Sequence, residues 1–259
     1  MRATALALFV LLTCDGCSKK EEPPRRTEPW LANPSASGNA AVSLAPLSFH
    51  FAPDSSIRFS VPGKKAKVSG RVPLTEGTLR LDTRDLKNTT ASLDVDLTKL
   101  SLDPETLPEN AELGGAPDAI ALQWLELGAE VAPEKRRELQ TARFELSSIE
   151  SVSTPFLDFG ARNKAQVRAG VIGTLLIHGF RAPVRCDVLL KPLEGAPGAG
   201  KRLSIRSAGP LVIALAPHDI SARGPSGIAD ALAMARASDW IGKNARVEFE
   251  LLAEADADK

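Results

Sequence analysis

The sequence predicts an all-β domain, an antiparallel sheet curled into a barrel and interrupted by two inserted helices. Three observations carry this. Apolar and polar residues alternate with period 2 in segment after segment from Leu47 onward. Gly173 to Val184 reads as a strand, a tight turn at Gly179 and a second strand leaving Pro183, because glycine takes a positive φ at no steric cost and proline cannot donate to a ladder. Two segments carry a helical period instead, and both lie between strands, where they act as lids or plugs on one barrel and not as a second domain.

The chain starts with Arg2 and an apolar run from Ala3 to Leu12 broken at Thr4, with small residues leading into Cys17. That is the layout of a secretion signal, and the run is too short to cross a bilayer as a helix. Gly16 before Cys17 and Ser18-Lys19-Lys20 after it resemble a lipoprotein signal, so residues 1–17 are expected to be a signal peptide ending at a lipidated Cys17. Leu11-Leu12-Thr13-Cys14 is a competing site. Ser18 after Cys17 implies a periplasmic protein anchored to the outer membrane; Asp15 after Cys14 implies the inner membrane, and plain secretion is the remaining alternative. Residues 18–45 mix charge, proline and small side chains with almost no apolar periodicity, which makes a flexible tether. Within it Trp30-Leu31 is an isolated apolar pair, read as a bare linker.

Residues 46–254 are the barrel, and 255–259 a disordered tail. Alternation runs through Ile57, Phe59 and Val61, then Leu79 and Leu81, then Leu93, Val95 and Leu97, then Phe144 and Leu146. It continues over Val167 to Ile177, Val184 to Leu190, Leu203 to Ser207, Leu211 to Leu215 and Ala245 to Leu251. One face is therefore apolar and one wet, and closure into a barrel removes the exposed edges. Asp118 to Leu127 places Ile120, Trp124 and Leu127 at helical spacing with Asp118 as its cap, and Pro133 opens a short charged stretch to Leu139. Gly227 to Trp240, alanine-rich with Ile228, Leu232 and Ala235 on one side, is the second inserted helix. Gly195 to Gly200 is a flexible hairpin loop.

Lys plus Arg equals Asp plus Glu at 32 each, so nothing calls for nucleic acid or an acidic substrate, and 5% aromatics without tyrosine argues against a base-stacking surface. Of three cysteines, only Cys186 lies in the body, leaving no intrachain disulfide; it alternates with Val184 and Val188 and reads as a small core hydrophobe. No enzyme is expected. The histidines, His50, His178 and His218, show no metal-ligand spacing, and a catalytic cluster could begin only from His178, Arg168 and Asp187. His178 reads as a turn residue bonding backbone. Asp94 and Asp96, two apart on a strand, share a solvent-facing side, a cation hint outweighed by a solvated exterior.

Leu175-Leu176-Ile177-His178-Gly179-Phe180-Arg181-Ala182-Pro183-Val184 resembles the hallmark hairpin of the YceI-like family. Ser56 to Val61, Gly77 to Asp82 with Asp85-Leu86, Ser92 to Leu97, Thr141 to Phe144 and Ile241 to Leu251 resemble further segments of that family in the same order. The resemblance spans residues 46 to 254. It implies an antiparallel eight-stranded lipocalin-like barrel whose interior holds a polyisoprenoid or isoprenoid quinone, with no cofactor. The interior is then expected to be lined by Phe59, Val61, Leu79, Leu81, Leu93, Val95, Phe144, Leu146, Leu175, Ile177, Val188 and Phe249, with Trp124 on a lid above it. An envelope interaction module with a plugged barrel is the alternative, since Asn110-Ala111-Glu112-Leu113 leads into a more apolar helix than the family carries, and Gly227 to Trp240 is longer.

Overall fold

Alternating side chains oblige a sheet to have an inside and an outside, and this chain separates the two by closing the sheet on itself. The computed structural model describes residues 46–53, 55–64, 67–103, 116–161, 164–194, 200–221 and 242–256. The signal with Cys17, the tether, the Asn110 to Leu113 segment, the loop at 195–199 and the helix expected over Gly227 to Trp240 lie outside the described residues.

The strands are β1 (Leu47–Phe51), β2 (Ser56–Pro62), β3 (Lys67–Leu81), β4 (Thr90–Asp96), β5 (Ser101–Leu102), β6 (Thr141–Val152), β7 (Val167–Ile177), β8 (Phe180–Leu193), β9 (Arg202–Ser207), β10 (Leu211–Ala214) and β11 (Asn244–Ala255). Two helices, α1 (Pro117–Trp124) and α2 (Pro133–Leu139), fall between β5 and β6. The antiparallel pairings run β2-β3-β4-β6-β7-β8-β9-β11, and β11 returns to β2. The ring closes with eight members. The remaining three strands extend members of that ring. β1 continues β2, since both pair with β3 and β11; β5 continues β4 along β3; β10 continues β9 along β11. Among the described residues, eleven strands thus make eight staves, three of them broken.

The breaks have local causes. Pro53 between β1 and β2, and Pro210 between β9 and β10, bring no N–H to a ladder. Between β4 and β5 the chain turns through the short 3-10 helix Leu97–Lys99, which Asp96 caps by accepting a hydrogen bond from Thr98 N at 3.0 Å. Asp96 therefore serves the turn, while Asp94 accepts from Arg143 Nε at 2.7 Å and Nη2 at 2.6 Å, so the two carboxylates are engaged by different partners. Between β7 and β8, His178 (φ 53°) and Gly179 (φ 79°) make a two-residue turn with both φ positive, the hairpin whose twist matches its strands.

Three sequence expectations are corrected. Asp118 does not cap α1: the cap is Ala116 with Pro117 behind it, and the Asp118 carboxylate accepts from Leu102 N at 2.7 Å, tying α1 to β5. The helix also ends at Trp124, because Glu126 at φ 53° leaves the helical region before Leu127. The sheet runs past residue 254: Ala255 N donates to Lys201 O at 2.8 Å and Asp256 N to Ser48 O at 2.9 Å, so both residues belong to the barrel. The largest packed cluster holds Leu81, Leu203 and Leu251, each at most 2% exposed, and a separate cluster of Leu97, Leu125, Leu127, Leu139 and Ala142 seats the two helices.

A candidate ligand cavity inside the barrel

The inward residues of a strand are every second one, so eight closed staves direct eight apolar stripes at a common interior. Here the stripes do not fill it. A cavity of about 330 Å³ remains. Its wall takes Phe59 and Val61 from β2, Leu79 and Leu81 from β3, Leu93 and Val95 from β4, Phe144 and Leu146 from β6, Leu175 and Ile177 from β7, Val188 from β8 and Phe249 from β11. Trp124 of α1 lines it as well, beside Ile120. The structure thus brings all thirteen sequence-nominated positions onto one surface.

Glycines let the aromatic part of this wall form. A Cβ at Gly77 would stand 2.6 Å from the Phe51 ring, one at Gly70 would stand 2.8 Å from the Phe59 ring, and one at Gly173 would overlap the Phe144 ring and approach Glu145 O at 2.7 Å. Each of these phenylalanines lines the cavity. A ring laid flat over a neighbouring strand needs that strand to lack a side chain there.

Further wall residues were legible in principle. Ile57, Leu211, Ile213, Val247 and Leu251 continue the alternations already read. Others carried no periodic signal: Leu100 and Leu102 follow the 3-10 turn, and Ile220 lies in the connection between β10 and β11. Polar groups on the wall are few. Thr89 is 9% exposed and its hydroxyl has no hydrogen-bond partner, Arg143 is held by Asp94, and Cys186 is a free thiol that burial pushes up to about 11. A thiol so far above neutral pH is protonated and behaves as an apolar group.

The candidate catalytic group does not assemble. Arg168 Nη2 donates to Asp187 Oδ2 at 2.5 Å, both half-exposed across the β7–β8 ladder. His178 sits at the other end of β7, about 30 Å away at the rise of a strand. It is buried at 3% exposure, and its Nδ1 lies 3.0 Å from the carbonyl of His218, the backbone contact expected of a turn histidine. Sequence reasoning missed what its other nitrogen meets, the Glu126 carboxylate at 3.1 Å. No spacing rule connects Glu126 and His178 with the nearby Asp219 carboxylate, which the fold alone brings together with them.

No protein-family model matches the chain, and neither does any curated protein sequence. Solved structures do. A polyisoprenoid-binding domain from Saccharophagus degradans implicated in plant cell wall breakdown superposes with a TM-score of 0.52 at 17% identity, covering 82% of this chain and 99% of that one. The chain has a YceI-like fold. BcnA of Burkholderia cenocepacia matches with a TM-score of 0.46 at 14% identity, over 76% of this chain and 95% of that one. The YceI protein of Campylobacter jejuni matches at 0.42 and 10%, over 76% and 86%. At 17% identity the likeness is one of fold, and the side chains that line the barrel are this chain's own.

Proposed function

We propose that the chain is a non-enzymatic lipid-binding protein of the periplasm that holds the hydrocarbon of a polyisoprenoid or an isoprenoid quinone inside its barrel. The observation that supports this best is the cavity itself, hydrocarbon-walled on every stave and large enough to fall at the lower end of ligand pockets. Each buried methylene contributes about 0.8 kcal/mol, so about ten offset a substantial part of the association cost without a charged contact. The unpartnered Thr89 hydroxyl suits a ligand with a single polar atom in an otherwise apolar body. The polyisoprenoid-binding description of the Saccharophagus degradans domain agrees with the reading.

Anchoring completes the proposal: lipidated Cys17 holds the barrel to the outer membrane through residues 18–45, close to the bilayer that supplies its ligand. Competition for a fluorescent prenyl probe tests the binding. Long-chain polyprenol and isoprenoid quinone should displace it at micromolar concentration, while straight-chain detergents of equal carbon number displace it weakly; equal displacement by all would remove the isoprenoid claim. Cys17→Ser should move the chain from the membrane to the soluble periplasmic fraction, and Cys14→Ser should not.

A further inference from the structure

Among the described residues, three non-glycine side chains hang from backbone at positive φ: Glu126 (53°), His178 (53°) and Asp219 (52°). These same three converge, with one ligating atom from each lying within 4.8 Å of the others. Glu126 follows α1, His178 is the first turn residue between β7 and β8, and Asp219 follows the 3-10 turn Ala216–His218.

The decisive atom is His178 Nε2. The His218 carbonyl 3.0 Å from Nδ1 can only accept, so Nδ1 carries the proton, and in the neutral ring Nε2 is left with a bare lone pair. That nitrogen is buried, on a side chain 2% exposed, and makes no hydrogen bond. Glu126 Oε2 lies 3.1 Å from it, off the line of a hydrogen bond. A buried lone pair this near a carboxylate is a place for a positive charge that both can bind. A backbone carbonyl that fixes the imidazole tautomer is the usual outer support of a metal-ligating histidine.

We propose that Glu126, His178 and Asp219 bind a divalent transition-metal ion of the zinc class. One imidazole nitrogen and two carboxylates are zinc donors, and three protein ligands leave one position for water. Donor atoms on a tetrahedral zinc lie about 3.3 Å apart, close to the His178–Glu126 separation of 3.1 Å; the exposed Asp219 carboxylate, within 4.8 Å of both, would draw in on the ion. Lys135 Nζ, 2.9 Å from Glu126 Oε1, orients the second ligand from outside. The ion would pin three segments at one end of the barrel. Leu125, Ile177 and Ile220, each adjacent in sequence to a ligand, line the cavity, so the ion fixes that part of its wall. The site stands on geometry independent of any lipid.

The test is equilibrium dialysis and thermal melting of the untagged full chain with Zn²⁺ as the probe, carrying Cys14→Ser and Cys17→Ser so that no exposed thiol competes. One equivalent should bind and raise Tm, with Mg²⁺ doing neither. Asp219→Asn keeps the fold, since asparagine tolerates positive φ, and Glu126→Gln keeps the shape; each should weaken binding at least tenfold while leaving the metal-free Tm within a few degrees of the parent. His50→Ala, removing an exposed histidine elsewhere, should change nothing. Stoichiometry below one half, or unaltered affinity in both carboxylate variants, would overturn the site and leave Nε2 as the proton-bearing half of an ion pair with Glu126.

Discussion

Replacing Trp124 with alanine separates a lid from a core more sharply than any other single change. Trp124 is 9% exposed, yet the packed clusters of the barrel are built without it, and its ring lies on the cavity wall. A buried tryptophan covers about 150–250 Å², which at about 25 cal/mol per Å² is about 4–6 kcal/mol, and large-to-alanine changes in filled cores cost about 3–5 kcal/mol. Neither figure applies in full to a ring with the cavity on one side. The expected loss is about 1–2 kcal/mol, a fall in Tm of about 2–8 °C for a domain of this size. Ligand exchange should respond more strongly. Losing the ring from the cavity rim should raise the off-rate of a bound prenyl probe at least tenfold, measured by stopped-flow displacement. Leu203→Ala is the control: wholly buried in the main cluster, it should cost about 2–5 kcal/mol and leave the off-rate alone. A Trp124→Ala variant as destabilised as Leu203→Ala, with unchanged exchange, would make α1 ordinary core and refute the lid.

Other expectations follow from the same wall. Gly173→Ala sets a Cβ against the Phe144 ring and Glu145 O, so it should destabilise the chain by about 1–3 kcal/mol in denaturant titrations and lower prenyl-probe capacity as the ring is forced inward. With its pKa near 11, the Cys186 thiol should alkylate at pH 8 about 100-fold more slowly than in the unfolded chain, read by peptide mass spectrometry, and prenyl lipid should slow it further. The Asp82 carboxyl is held below the usual carboxylate range chiefly by the Arg84 and Asp85 amides and also by Asn88. Its contribution is present above that range and lost as pH falls below it, through the lowered folded-state pKa, so wild type and Asp82→Ala should differ in Tm at neutral pH and converge in strong acid.

What was legible in the sequence was whatever depends on near neighbours. β7 begins and ends where its alternation does, at Val167 and Ile177, whereas the charged stretch from Pro133 to Leu139 is too short to show a period and forms α2. The first half of β3 escaped notice because Gly70 and Pro73 interrupt an alternation that pairing with β2 sustains nonetheless. β5 has two residues and no periodicity to read. Asp118 looked like a helix cap because cap chemistry is local; its actual partner, Leu102 N, is a tertiary neighbour. The cavity wall was readable because a single alternation decides which residues face inward. The meeting of Glu126, His178 and Asp219 was not, since it depends on where three separate turns come to rest.

The most direct test of lipid binding is to purify the full chain from its own envelope without added lipid, extract it with organic solvent and identify what is released by mass spectrometry. An isoprenoid at close to one molecule per chain, lost in a variant carrying Leu93→Asp and Leu175→Asp, which flank Phe144 in one row of the wall, while circular dichroism still reports the β-barrel, is the predicted result. A folded wild-type chain that releases no apolar molecule, and whose Tm does not move when polyprenol or isoprenoid quinone is supplied, would contradict it.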